Sequence, residues 1–288
     1  MIDLDKDLIE RRTVVSPFGL LLWDQVTQKT IGDGFKISAY PLNREDRRVF
    51  AFKCLSDAYG FRGLPGMREV EMGTGDRDFW DNVPSRSFVV EIEDQQERFL
   101  PFSFEVTLPR RNAFNWEGSE LLPLEAPLGV PLFSTPGRRP PASVAVLRAY
   151  LMDPGLADRD NPKGKGAAWA VVRARVGDQT IRGVADRNGQ LLMMFPYPRP
   201  SIDLSDSPPL RDQTWTVEID AVYQRKESLP TLPDLSEILD QPAAFLWSDE
   251  ARTIELPAQK LKYGQELVLR SADSGGRALS ELFITSVD

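Results

Sequence analysis

The sequence predicts a mostly-β protein with an antiparallel β-sandwich core, strand-rich N- and C-terminal extensions and few short helices. Three observations predict it. Residues from Phe88 to Leu108 alternate apolar and polar with period two. The stretch 167–198, AAWAVVRARVGDQTIRGVADRNGQLLMMFPYP, divides into three short apolar segments at turn-forming residues. The strand–helix alternation that builds a parallel α/β sheet is missing.

In chain order, residues 1–12 are charged and read as a short helical or mobile arm. Thr13 to Trp23 is apolar, interrupted by Pro17 and Gly19, and reads as a strand pair or a docking segment. Phe35 to Leu42 and Arg47 to Leu55 read as strands around the loop Asn43-Arg44-Glu45-Asp46. Gly32-x-Gly34 precedes a strand rather than a helix, so it reads as a turn. The Gly/Pro-rich stretch from Tyr59 to Pro84 reads as a long ordered loop carrying Phe79 and Trp80, and loops of that length usually serve function or an interface.

From Phe88 the pattern sharpens. Phe88, Val90 and Ile92 share one face. After the turn Asp94-Gln95-Gln96-Glu97, Phe102, Phe104, Val106 and Leu108 share another, giving a half-buried hairpin. Residues 109–141 are Pro-rich and read as a connection, and Val144 to Leu151 as a strand.

The central stretch then predicts strands at Ala168–Val176, Thr180–Ala185 and Leu191–Phe195. These are joined by the turns Gly177-Asp178 and Asp186-Arg187-Asn188-Gly189 into a three-stranded meander. Asp186, Asn188 and Gly189 are read as turn formers. Trp215 to Tyr223 alternates as a further strand, and residues 224–233 read as a linker. Asp234 to Asp240 predicts one helical stretch stopped by Pro242. Thr253–Leu256, Glu266–Arg270 and Leu282–Val287 close the chain as strand candidates. The expected organisation is an N-terminal β region (1–87), a sandwich module (88–223) and a C-terminal extension (224–288).

Composition excludes more chemistry than it suggests. The chain has 288 residues and no histidine, which removes Ser-His-Asp and Cys-His catalysis, His-ligated metals and the commonest general base near neutral pH. A single cysteine, Cys54, excludes an intramolecular disulfide and structural zinc, and fits a reducing compartment. Its setting in VFAFKCL predicts a buried structural thiol. A net charge of −8 argues against a general nucleic-acid binder, and Arg110-Arg111 and Arg138-Arg139 read as solvated loop charge. The N-terminal segment has no apolar stretch of signal-peptide type, and no apolar run approaches the roughly 20 residues of a membrane span. A cytoplasmic protein without a transmembrane segment is the expectation.

Positive chemical signals are few. Asp153, Asp158, Asp160 and Asn161 share a loop whose oxygens suit calcium, but the spacing fits no EF-hand and Lys163 and Lys165 oppose a cation. The sequence contains no Walker loop, no dinucleotide-binding glycine pattern and no G-x-S-x-G elbow. The 43 acidic residues leave a histidine-free glycoside hydrolase open, with no local pattern naming its carboxylate pair. Phe79, Trp80, Trp116 and Trp247 are candidate partner contacts, as a sugar-stacking platform or as interface anchors, unless they plug the ends of the sandwich.

Two resemblances add to this reading. The segments Gly166 to Val172 and Gly183 to Leu191, with a G-x-x-D-x-x-G turn between strands, resemble the carboxypeptidase regulatory-like, transthyretin-like β-sandwich superfamily. That likeness implies a transthyretin/immunoglobulin-like fold only. Arg98-Phe99-Leu100-Pro101, Leu108-Pro109-Arg110-Arg111, Leu132 to Arg138, Gly183 to Asp186, Phe195 to Pro198 and Gln241 to Ala244 together resemble accessory proteins of phage-tail-like contractile injection systems. The second resemblance implies a non-enzymatic structural component without cofactor or metal: an adaptor, an end cap or plug, or a baseplate accessory. Its partners would be the protein subunits of the tail-like assembly, arranged in a symmetric ring. A carbohydrate-binding module is the rival from another class.

Overall fold

A computed structural model of the chain describes residues 14–54, 56–73, 82–110, 113–114, 129–198, 209–226 and 228–287. The protein is mostly β, as the sequence predicts. Among the described residues the α-helices are two short ones, Arg68–Glu71 and Leu235–Leu239.

The hairpin comes out where the alternation places it. Strands Arg86–Asp94 and Phe102–Leu108 pair antiparallel, with Phe88 opposite Val106 and Ile92 opposite Phe102. The carboxylate of Asp94 closes the turn by accepting the backbone N–H groups of Gln96 and Arg98 at 3.2 and 2.7 Å, and the Arg98 side chain adds an ion pair at 2.9 Å. The hairpin's sheet partner is N-terminal. Phe35–Pro41 pairs with Arg86–Asp94 along its whole length, and Val49–Phe50 adds the fourth strand. The hairpin read from the sequence as the start of the central module is therefore continuous with the region 1–87. Ile37, Ala39, Val90 and Phe104 supply the inward face of this sheet.

The segment Thr13 to Trp23 does form strands, but in two sheets. Gly19–Leu20 lies between Tyr59–Gly60 and Ala113–Phe114, while Leu22–Asp24 pairs with Lys29–Thr30 and with Val130–Leu132. Two of these pairings, with 113–114 and 130–132, are parallel. The Pro-rich connection thus contributes strands to the N-terminal core.

A ten-stranded sheet builds the other half, and Val144–Asp153 is its hub. It pairs antiparallel with Gln190–Pro196 and Lys165–Gly166, and parallel with Leu267–Leu269 and Leu282–Ser286. From there the order runs through Leu282–Ser286, Ala243–Trp247, Thr214–Val222 and Val171–Val176 to Gln179–Val184. Two C-terminal strands are interior members of this sheet. Leu282–Ser286 and Ala243–Trp247 lie between the hub and Thr214–Val222, so they complete the sheet rather than flank it. Leu267–Leu269 falls within its predicted range. Thr253–Leu256 holds only a single bridge, Trp247 with Glu255, and the strands Ala243–Trp247 and Gln259–Lys262 were not legible.

The meander is half realised. Val171–Val176 and Gln179–Val184 pair as predicted, with Val176 opposite Gln179. The third strand, Gln190–Pro196, leaves that layer and pairs with Val144–Tyr150 of the hub. The first strand also starts three residues late. Residues 167–170 turn, with Ala168 N–H donating to Gly166 and Ala170 N–H to Ala167, and Trp169 sits at φ +61°.

The halves share apolar contacts. The N-terminal core cluster takes in Trp169, Val171, Val184 and Val222 from the large sheet, and Leu235, Ile238 and Leu239 from the second helix. That helix is capped by Asp234, whose Oδ1 accepts from Ser236 N and Glu237 N at 2.8 and 3.1 Å. Ser103 N donates to Pro233 O at 2.9 Å and ties the helix entry to the hairpin. A second cluster, including Leu147, Val172, Met193, Val217 and Ile284, fills the large sheet.

Candidate functional site

The most distinctive surface is the edge segment Val49–Lys53. It crosses between two sheets: Val49–Phe50 is the outer strand of one and Phe52–Lys53 the outer strand of the other. Ala51 between them packs against the core. Phe50 and Phe52 therefore turn outward and are 55% and 38% exposed. Each ring carries a cation: Lys36 Nζ lies 5.9 Å from the centroid of Phe50, and the Arg62 guanidinium 5.1 Å from that of Phe52. An edge strand with free backbone groups and exposed aromatics is a template for pairing with another chain. Its underside is braced. Glu91, 6% exposed, accepts from Tyr40 Oη at 2.9 Å and holds Arg48 in an ion pair. Burial, with Glu91 second, pushes the Tyr40 hydroxyl up to about 12.

Cys54 follows this segment. It is half-buried rather than buried, because VFAFKCL is an edge and not a core strand.

The other predicted contacts scatter. Phe79, Trp80 and Trp116 lie outside the described residues. Trp247 sits in a strand rather than a loop. Its indole Nε1 donates to Thr285 Oγ1 at 2.9 Å and its ring lies against Phe245.

Asp186, Asn188 and Gly189 come together in one turn. Asp186 Oδ1 accepts the backbone N–H groups of Asn188 and Gln190, both at 2.8 Å. Gly189 adopts φ +80°, and a Cβ there would stand 2.3 Å from Leu151 O. The turn is the corner where the chain passes from Gln179–Val184 to Gln190–Pro196, the strand paired with the hub, and Gly189 O accepts from Leu151 N.

The loop acids do not converge. Asp153 is fully buried and accepts from Tyr223 Oη at 3.0 Å, Gly155 N at 2.8 Å and Arg225 Nε at 2.7 Å. Asp158 pairs instead with Lys165 at 2.6 Å, which holds its carboxyl at about 2 together with the Asn161 amides. No group of three or more metal-ligating side chains occurs among the described residues.

A cleft of about 360 Å³, missed by the sequence reading, opens on the outer face of the hub. Pro140, Pro141, Ser143, Tyr197 and Tyr263 are among the residues that line it. The tyrosine rings lie tilted at 40° with centroids 4.6 Å apart, and Tyr197 Oη accepts from Gly264 N at 2.9 Å. Nothing local in sequence pairs residues 66 positions apart. The signal available was the aromatic ending FPYP.

No family model matches the chain, and no curated protein matches it. Among solved structures, it is similar to the Bacillus anthracis TIE protein at 11% identity and a TM-score of 0.22, covering 96% of this chain and 49% of that one. The chain thus spans about half the length of that protein. It is also similar to a candidate adhesin from Bacteroides ovatus, at 11% identity and a TM-score of 0.17, covering 93% of this chain and 97% of that one. Similarity at this level carries no functional argument.

Proposed function

We propose that the chain is a structural, protein-binding component of a contractile tail-like injection particle, serving as an adaptor, end cap or plug, or baseplate accessory. The observation that carries the protein-binding part is the edge segment Val49–Lys53, with two outward phenylalanines under flanking cations. The particle is named by the sequence resemblance alone. Non-enzymatic work suits the ionic layout, since the buried acids serve as struts. Asp24 holds Arg138, Asp153 holds Arg225, and Glu91 holds Arg48. No described helix is long and apolar enough to cross a membrane, and the proposed setting is a large particle assembled in the cytoplasm.

The test is co-purification with tube or sheath subunits, comparing wild type with Phe50→Ser/Phe52→Ser. Loss of two anchor aromatics, at about 2 kcal/mol each, weakens binding by more than roughly 100-fold. Co-purification unchanged in the double variant removes this surface from the interface. A chain that stays monomeric and absent from purified particles removes the particle reading.

The Tyr197–Tyr263 cleft favours carbohydrate binding as a second reading, because its volume lies in the range of small-ligand sites and its rings offer stacking faces. A glycan array with Tyr263→Ala separates the two. Glycan binding lost in Tyr263→Ala and kept in Phe50→Ser/Phe52→Ser supports it, and no glycan bound by wild type ends it.

A further inference from the structure

Three strands of the large sheet carry an unbalanced row of charge. Register places Arg182 of Gln179–Val184 opposite Arg173 of Val171–Val176, and Arg173 opposite Asp220 of Thr214–Val222. The three side chains therefore form one row across one face. The next row outward is Thr180, Arg175 and Glu218. The next row inward is Val184, Val171 and Val222, all buried in the N-terminal core, so the face is sealed at that end.

The charges do not cancel along this face. Asp220 gives one oxygen to Arg173 Nε and the other to Arg175 Nη2, the latter at 3.2 Å. Both carboxylate oxygens are then engaged, and Arg182 has neither. Its Nε is buried and has no hydrogen-bond partner. Two like charges directly opposite on neighbouring strands repel, and a buried guanidinium nitrogen without an acceptor forfeits its hydration. Burial first and the Arg173 charge second draw the Arg182 guanidinium down to about 10, with Asp220 acting in the opposite direction. A planar fork of donors on one side and a second arginine across the strand is the geometry that receives an oxyanion with two or more oxygens.

We propose that Arg182 and Arg173 form a binding site for a small oxyanion, a carboxylate or phosphate group, with Arg175 and the Thr180 hydroxyl at its outer rim. The ligand satisfies Arg182 and screens it from Arg173. This site is separate from the edge segment Val49–Lys53 and stands or falls independently of the proposed assembly role.

The test is titration of the full chain with sodium phosphate and, in a second arm, sodium acetate. Each is compared with sodium chloride at equal ionic strength, reading the melting temperature and the Nε–Hε resonances of arginine. The expected result is a saturable rise in melting temperature and a shifted Arg182 resonance in at least one arm. The arm that responds identifies the oxyanion. Arg182→Gln abolishes the response, and its melting temperature without added oxyanion equals or exceeds that of wild type because the like-charge contact is gone. Arg182→Lys, which keeps the charge and loses the fork, weakens the response at least about tenfold. A response matching chloride in both arms overturns the proposal. So does a full response in Arg182→Lys, whether or not Arg182→Gln folds.

Discussion

Replacing Asp24 by alanine is the sharpest test of the claim that buried acids act as struts. Asp24 is 1% exposed at the end of strand Leu22–Asp24. Its Oδ1 accepts from Val26 N and Arg138 Nη1, both at 3.0 Å. Its Oδ2 accepts from Thr27 Oγ1 at 2.9 Å and Arg138 Nη2 at 2.7 Å. The Arg138 side chain is 11% exposed, and its guanidinium lies 4.4 Å from the Phe99 ring centroid. Alanine therefore leaves a nearly buried guanidinium with no counter-charge, holding only the Ser134 Oγ contact at 3.1 Å, and leaves an amide N–H unpaired. Breaking one side of such a pair costs about 3–5 kcal/mol, a large share of the roughly 5–15 kcal/mol that holds a domain folded. Arg138→Met combined with Asp24→Asn removes both charges, keeps the amide oxygen as acceptor for Val26 N and sets the amide NH2 to donate to the Thr27 hydroxyl, so the double variant stays within about 2 kcal/mol of wild type. Urea unfolding monitored by tryptophan fluorescence measures wild type, Asp24→Ala, the singles Asp24→Asn and Arg138→Met, and the double variant. A cost below about 1 kcal/mol for Asp24→Ala, or a double variant as costly as the sum of its singles, refutes the strut. The pH dependence carries the same sign. Burial acts to raise the Asp24 carboxyl, but the Arg138 bond and charge, the Val26 amide and the Thr27 hydroxyl outweigh it and the group titrates below its ordinary value. Its contribution is complete above the unfolded value of about 3.9 and is lost as pH falls through the lower folded value. The stability gap between wild type and Asp24→Asn closes over that acid window.

Four further outcomes follow from local geometry. Gly189→Ala destabilises by about 2 kcal/mol or more, since φ is +80° and the new Cβ meets Leu151 O. Gly177→Ala, at φ +62° with no atom nearer than Pro198 Cβ at 4.0 Å, loses only the conformational part, about 1 kcal/mol, in the same unfolding assay. Asp234→Ala costs about 1 kcal/mol and speeds amide exchange across Leu235–Leu239, because Ser236 and Glu237 lose their cap. Trp247→Phe removes the bond to Thr285 at about 1 kcal/mol in thermal unfolding, and leaves partner co-purification unchanged.

Local pattern made the hairpin, the helix at 235–239 and the turn at 186–189 legible, because each is decided within about ten residues. Phe88, Val90 and Ile92 had to share a face, and Asp234 with Pro242 bracketed the helix. Sheet membership was not legible. Phe35–Pro41 is as compatible by pattern with any apolar-faced neighbour, and its choice of Arg86–Asp94 is a packing outcome. The same applies to Leu282–Ser286, whose apolar run fits an interior strand as well as an edge. The edge site was misjudged for a related reason. Alternation in VFAFKCL shows that Phe50 and Phe52 share a side, but cannot say whether that side is covered.

The arginine row shows how far local reading extends before long-range pairing takes over. Once Gly177-Asp178 is the two-residue turn, Val176 must face Gln179, and counting outward sets Arg175 against Thr180 and Arg173 against Arg182. The like-charge pair was therefore present in the sequence as a consequence of one turn. Its partial relief was not. Asp220 arrives opposite Arg173 from a strand beyond residues 199–213, and no short turn fixes that register. A charge conflict that follows from a local turn, and whose long-range neighbour bonds to Arg173 but not to Arg182, marks the position where the fold leaves a cation for something outside the sheet to satisfy.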